Sequence, residues 1–366
     1  MPLPSLQIGD LTAQLPIIQG GMGVGISLSG LASAVANQGG IGVIAAAMIG
    51  MREPDVATNP VEANCRALRN EIAKARSLTQ GIIGANIMVA LTTSMQMAKA
   101  AIESGVDVIF SGAGLPLELP RQLREICEEK KKEFRTKLVP IISSGRAASV
   151  IAKKWLSRFG YLPDAFVVEG PKAGGHLGFK PEDIDSENHA LEVLVPEVLE
   201  AVKPLEDKHG RKIPVIAAGG VYTGADIRKY LNMGAAGVQM GTRFVATHEC
   251  DADIRFKESY IRAKKEDITI ISSPVGMPGR ALYNDFIEQS RAGLKKPFKC
   301  IFHCVSTCQP ENSPYCIANA LISAMRGNLK GGFAFCGANV DRVSEIISVP
   351  ELIQQLKEEY EASAPV

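Results

Sequence analysis

Short runs of β-branched and apolar residues recur along the chain, each bounded by Gly, Pro or Asp and each followed by a stretch with the 3.6-residue period of an amphipathic helix. Eight such runs can be read: Pro16 to Gln19, Ile41 to Ile44, Ile82 to Ile87, Val106 to Phe110, Leu138 to Ile142, Ala165 to Val168, Val215 to Ala218 and Gly237 to Met240. Between them the spacing predicts helices over Gly30 to Asn37, Pro60 to Arg76, Ser94 to Glu103, Pro120 to Lys132, Ala147 to Arg158, Val195 to Val202 and Gly224 to Leu231. Strands that are apolar nearly throughout, rather than alternating, belong to a parallel sheet covered on both faces. Eight strand–helix units favour closure into a (β/α)8 TIM-type barrel over an open doubly wound sheet. The first strand also lacks the dinucleotide fingerprint with an acidic residue about twenty positions on, which further weakens the open-sheet alternative.

After the eighth run the rhythm stops. Residues 1-246 are therefore expected to form the barrel. Residues 247-314, more polar and carrying Ser272-Ser273-Pro274-Val275-Gly276-Met277-Pro278-Gly279, are expected to form a smaller lobe over its C-terminal face. Residues 315-366 are expected to return to the barrel and to end in a helix from Pro350 to Ala362.

Composition narrows the function classes. At 366 residues and 46% hydrophobic content the chain can bury a large core. Forty basic residues stand against 39 acidic ones, and no segment gathers the positive charge that a polyanion partner needs. Nucleic acid is thereby excluded as the expected partner. The run Lys130-Lys131-Lys132 is flanked by Glu128, Glu129 and Glu133 and reads as a solvated helix face. The opening Met1-Pro2-Leu3-Pro4 has no secretory signal pattern, and the most apolar stretch, Gly39 to Ile49, is too short to span a bilayer. A cytoplasmic location with no membrane partner is expected, with oligomerisation open, and the eight cysteines then read as thiols or metal ligands rather than disulfides.

Candidate chemistry falls at strand ends, where barrels keep their active sites. The seventh run ends in Ala218-Gly219-Gly220 and the eighth in Gln239-Met240-Gly241-Thr242-Arg243-Phe244. Either motif alone is an ordinary turn. Together, on adjacent strands, they predict a phosphate site built from backbone N–H groups, with the Thr242 hydroxyl as an added donor. The first run continues into Gly20-Gly21-Met22-Gly23-Val24-Gly25, a backbone open enough for a flat ring to lie against it, with Met22 able to pack on that ring. The sixth leads into Glu169-Gly170-Pro171-Lys172-Ala173-Gly174-Gly175-His176. A histidine delivered there by a Gly-Gly turn is expected to titrate near neutrality and to serve as general base or acid, whereas His189, His209, His248 and His303 read as structural or surface residues.

In this order and spacing, Gly20-Gly21-Met22-Gly23, Ala173-Gly174-Gly175-His176, Ala218-Gly219-Gly220 and Gln239-Met240-Gly241-Thr242-Arg243-Phe244 resemble the nitronate monooxygenase family, with FMN-dependent enoyl-acyl carrier protein reductases close by. The resemblance spans about residues 14 to 290. It implies a flavin enzyme holding FMN through Gly21, Met22, Gly23, Asn86, Gly174, Gly220 and the segment Gln239, Met240, Gly241, Thr242, with His176 as catalytic base. It also implies a small-molecule substrate: a nitronate or nitroalkane oxidised with O2 to a carbonyl compound and nitrite. The alternative is an NAD(P)H-dependent enoyl-thioester reductase, and a non-catalytic flavin-binding sensor or assembly subunit is the reading of another class. Two positions depart from the family pattern. Glu169 stands where many members have Gln, which sets a negative charge near the flavin unless it is paired or protonated, and Ser143-Ser144-Gly145-Arg146 lacks the Lys of some relatives.

Cys300, Cys304, Cys308 and Cys316 form C-x3-C-x3-C-x7-C, a spacing of neither the usual zinc pairs nor the common ferredoxin run. The first three fit one buried helix face as structural thiols, the reading that buried cysteine favours; the alternative is that the set binds zinc or an iron–sulfur cluster. No metal ligand is assigned at this point.

Overall fold

A computed structural model describes residues 2–297, 299–300 and 302–363. Met1, Phe298, Ile301 and residues 364–366, which touch the expected N-terminal, cover and C-terminal divisions, lie outside the described residues. A hairpin of β1 (Leu6–Ile8) and β2 (Leu11–Ala13) opens the chain. Then come β3 (Ile17–Gln19), β4 (Ile41–Ala45), β5 (Ile82–Met88), β6 (Val108–Gly112), β7 (Lys137–Ile142) and β8 (Phe166–Glu169). They are followed by β9 (Gly175–His176), β10 (Val215–Ala218) and β11 (Gly237–Met240), and later by β12 (Ile268–Ser272) and β13 (Pro278–Leu282). All strands from β3 to β11 except β9 pair in parallel into one closed barrel of eight. The eight expected runs and the eight barrel strands coincide within two residues.

The barrel interior is a packed core of Ile18, Ile41, Val43, Phe110, Val139, Val167 and Ile216, and the hairpin plugs its N-terminal end with Leu6, Ile8 and Ala13. That plug has no sequence signal beyond a Gly9-Asp10 turn, with Gly9 in the left-handed region. The outer helices bury one face each on the strands. The helix Leu191–His209 is longer than its expected core because Pro196 and Pro204 lie within it without ending it. Among the described residues, no helix is long and apolar enough to cross a membrane.

Beyond β11 the chain lays a cover over the C-terminal face. Strand β13 pairs antiparallel with β12 on one side and with β9 on the other, matching Gly279 to His176. The connection after β8 is thus stitched into the cover. A second core, with Phe286, Tyr315, Phe333, Ile271 and Ile317, holds the cover together. The last helix, Val349–Ala362, begins with a capping box in which Ser348 and Glu351 satisfy each other's backbone N–H groups. Its buried face includes Leu352, Leu356 and Tyr360, and it packs on the helix Gly224–Asn232.

Candidate active site

The C-terminal mouth of the barrel encloses a cavity of about 290 Å³. Gly21, Met22, Gly23, Asn86, Gly174, His176, Gly220, Gln239, Met240, Gly241 and Thr242 all line it, so the sequence-selected residues converge on one space.

At one end lie the turns after β10 and β11. Gly220 has φ +94°, a conformation that glycine adopts freely and other residues resist. Among the described residues, the N–H groups of Gly220, Val221, Gly241 and Thr242 find no acceptor in the protein, although all four residues face the cavity. Backbone donors left open in a concave turn are what an anion needs. Thr242 Oγ1 accepts the Gly337 N–H at 3.0 Å, which leaves its own proton free to donate. The Lys172 side chain stands at the same rim.

At the other end is His176. Its Nε2 lies 2.7 Å from Ser273 Oγ, and its ring meets Phe335 edge-on at 5.0 Å between centroids. Ser273 Oγ also accepts the Val275 N–H at 3.3 Å, an arrangement that leaves the hydroxyl proton for the imidazole. The Gly-Gly turn before His176 is clamped by the buried Arg280, whose guanidinium donates to the carbonyls of Pro171 and Ala173. Burial pushes the His176 pKa down to about 4. This corrects the expectation of titration near neutrality: the cover desolvates a ring that the local sequence presents as open.

Glu169, at the end of β8, lines the cavity and forms no hydrogen bond or ion pair among the described residues. Burial alone pushes its pKa up to about 7. With no partner to offset its burial, the carboxyl holds its proton to higher pH than an exposed carboxylate does. Asn86 is anchored only loosely, its Nδ2 donating to the Phe110 carbonyl at 3.4 Å.

Sequence reasoning missed the roof of the site, Phe335 to Asn339, along with Ser273, Arg280 and Tyr260. The roof is held by hydrogen bonds from Ala338 N to the Lys172 carbonyl at 3.1 Å and from Asn339 Nδ2 to the Gly220 carbonyl at 2.7 Å. Tyr260 donates to the Phe335 carbonyl. Close approach explains Gly174: a Cβ there would lie 2.6 Å from the Cys336 carbonyl carbon. The Phe-Cys-Gly-Ala-Asn stretch carries no recognisable motif, and only its fold brings it to the site.

The family model described as nitronate monooxygenase matches residues 5–359. The chain belongs to the nitronate monooxygenase family. Membership places it among the flavin-dependent oxidoreductases, as the motif resemblance implied. Family members similar to it include a probable nitronate monooxygenase of Bacillus subtilis, 26% identical with 94% of this chain and 95% of that protein covered. A 5-hydroxy-7a-methyl-1-oxo-octahydro-indene-4-carboxyl-CoA dehydrogenase of Mycobacterium tuberculosis is 30% identical over 76% of this chain. The match spans 66% of that dehydrogenase and 64% of its Rhodococcus jostii counterpart, just under two thirds of their lengths. Among solved structures, FabK from Thermotoga maritima superposes with a TM-score of 0.70 at 28% identity, covering 94% of this chain and 92% of FabK.

Proposed function

We propose that this chain is an FMN-dependent nitronate monooxygenase that converts a small alkyl nitronate and O2 into a carbonyl compound and nitrite. The observation that carries the reading is the shared cavity: open backbone donors at the ends of β10 and β11, and a neutral imidazole at the opposite wall. The donor set fits FMN. Gly220, Gly241 and Thr242 would take its phosphate, while Gly21, Met22, Gly23, Asn86, Gly174, Gln239 and Met240 would face the rest of the cofactor. When bound, the flavin supplies the two-electron acceptor and the site of reaction with O2.

The protein's own contribution is positioning, exclusion of water and control of protons. His176, held by Ser273 and Phe335, stays uncharged at neutral pH; with Nε2 accepting from Ser273 its Nδ1–H donates to the nitro group, and in the other tautomer, with Nε2–H donating to Ser273 Oγ, Nδ1 is free to receive a proton. An imidazole lowered to about 4 is a weak base toward a neutral carbon acid. The nitronate, already deprotonated, is therefore the favoured substrate, and nitroalkane is turned over only through His176. Removing a positioned base costs about 10²–10⁴-fold in rate. A flavin-loaded His176→Ala variant should lose nitroalkane turnover by that order and keep nitronate turnover within about tenfold of wild type. Near-normal activity on nitroalkanes would remove His176 from this role.

A second reading is kept alive by the 30% identity to two carboxyl-CoA dehydrogenases: reduction of an enoyl thioester with NAD(P)H. Anaerobic mixing separates the two. Flavin bleached rapidly by NADH or NADPH supports the reductase, and flavin bleached by nitronate alone supports the oxygenase.

A further inference from the structure

A second cavity, of about 230 Å³, lies in the cover and is lined by Cys300, Cys304, Cys308 and Cys316 together with His303 and Tyr315. All four cysteines are free. The helical explanation of their spacing fails: among the described residues from 299 to 316, the only helical turn is the 3-10 turn Pro310–Asn312. Chain that forms neither strand nor helix over such a length needs another source of order. Here it is pinned at its edges. The carbonyls of His303 and Cys304 accept from Thr92, Ser306 N donates to the Ala90 carbonyl at 2.9 Å, and Thr307 Oγ1 donates to the Val275 carbonyl at 2.9 Å. The segment nevertheless borders a space lined by all four cysteines.

We propose that Cys300, Cys304, Cys308 and Cys316 ligate an iron–sulfur cluster of the [4Fe–4S] type. A single zinc ion draws four sulfurs to about 2.3 Å and leaves no room between them. Among the described residues, no three His, Cys, Asp or Glu side chains form a ligand set for one ion. Four thiols spread around a cavity instead match the four-cysteine ligation of a cubane, whose inorganic core fills the space. Local donors suit bound sulfur as well: the His303 N–H points at Cys300 Sγ at 3.4 Å, and Ser313 Oγ lies 3.4 Å from Cys308 Sγ.

The location ties the site to the flavin cavity. Cys316 sits at the N-terminus of the helix Ile317–Met325, and Leu321, five residues or about 7.5 Å of rise along it, lines the flavin cavity. Tyr315 meets Phe333 edge-on at 5.6 Å, Phe333 meets Phe335 edge-on at 5.1 Å, and Phe335 meets His176 in the same way.

The test is anaerobic purification of the full chain from iron-replete cells, with reconstitution by ferrous iron and sulfide under thiol. The expected result is about four iron and four acid-labile sulfide per chain, with a broad visible absorption beyond the flavin bands that dithionite bleaches. Cys308→Ser and Cys316→Ser should lose iron and sulfide while retaining flavin, and Cys127→Ser, on a barrel helix, should lose neither. Iron at background after reconstitution overturns the proposal. So does one zinc per chain without sulfide, or iron content that the Cys308 and Cys316 variants leave unchanged.

Discussion

Glu169 and His176 share one cavity and carry opposite burial penalties, which gives stability a signature that each side chain alone can reveal. Glu169 is raised from 4.5 to about 7 in the fold, and His176 is lowered from 6.5 to about 4. Each shift of about 2.5 units is worth roughly 3 kcal/mol at its limit. For Glu169 the folded protein holds a proton that the unfolded chain releases, so its share of stability is whole below pH 4.5 and is lost as pH rises toward 7. For His176 the unfolded chain binds a proton that the fold refuses, so its share is whole above pH 6.5 and is lost as pH falls toward 4. In the wild type the two slopes oppose each other across the middle of this window. Glu169→Gln and His176→Asn each delete one. A chain of 366 residues has an unfolding entropy of about 0.8 kcal/mol/K, so either term shifts Tm by about 3 °C between pH 5 and pH 8. Thermal scans of flavin-stripped protein should therefore show Glu169→Gln gaining about 3 °C on wild type as pH rises from 5 to 8, and His176→Asn gaining about as much as pH falls. Differences flat to within about 1 °C, or slopes of the same sign, would refute the assignment of these two groups as unpaired and desolvated.

Other perturbations probe the frame around that pair. Gly220→Ala forces a side chain into φ +94° and sets its Cβ 2.9 Å from Lys172 Cβ, so FMN affinity measured by fluorescence titration should fall about tenfold or more; unchanged affinity would separate this turn from the phosphate. Asn339→Ala removes the bond that ties the roof to the Gly220 carbonyl, worth about 1 kcal/mol, and should weaken FMN about fivefold without changing the far-UV spectrum. Ser273→Ala takes away the partner of His176 and should lower kcat on nitroalkanes about tenfold with FMN affinity intact; a parallel loss of flavin would show that Ser273 supports the cover rather than the imidazole.

The barrel was legible because its signals are local. An inward-facing parallel strand must be apolar on both faces, so Ile41–Ala45 and Val215–Ala218 announce themselves without knowledge of their neighbours. The strand-end glycines that line the cavity at the barrel mouth were legible for the same reason. Even the start of β6 shows how little tertiary context mattered. It begins two residues after the start of its apolar run, and Asp107 leads into it with its N–H on the Ile83 carbonyl, its carbonyl on the Lys137 N–H, and its carboxylate accepting from Ile83 N and Arg76.

The cover obeys a different logic, and there local reading fails. Its strands are held in a sheet whose third member is two residues long, Gly175–His176, and a strand so short has no periodicity to detect. Gly-Gly-His read alone predicts an open, titratable imidazole. The partner that orients it lies 97 residues further on, and the ring that desolvates it comes from a segment later still. Long-range pairing of this kind sets the protonation state of His176, the residue proposed as the base. The sequence therefore marks where the reactive group sits, while its chemical character depends on which distant segments close over it. The four cysteines belong to the same class: their spacing is ambiguous along the chain, and it is their gathering around one cavity that supports the proposed ligand set.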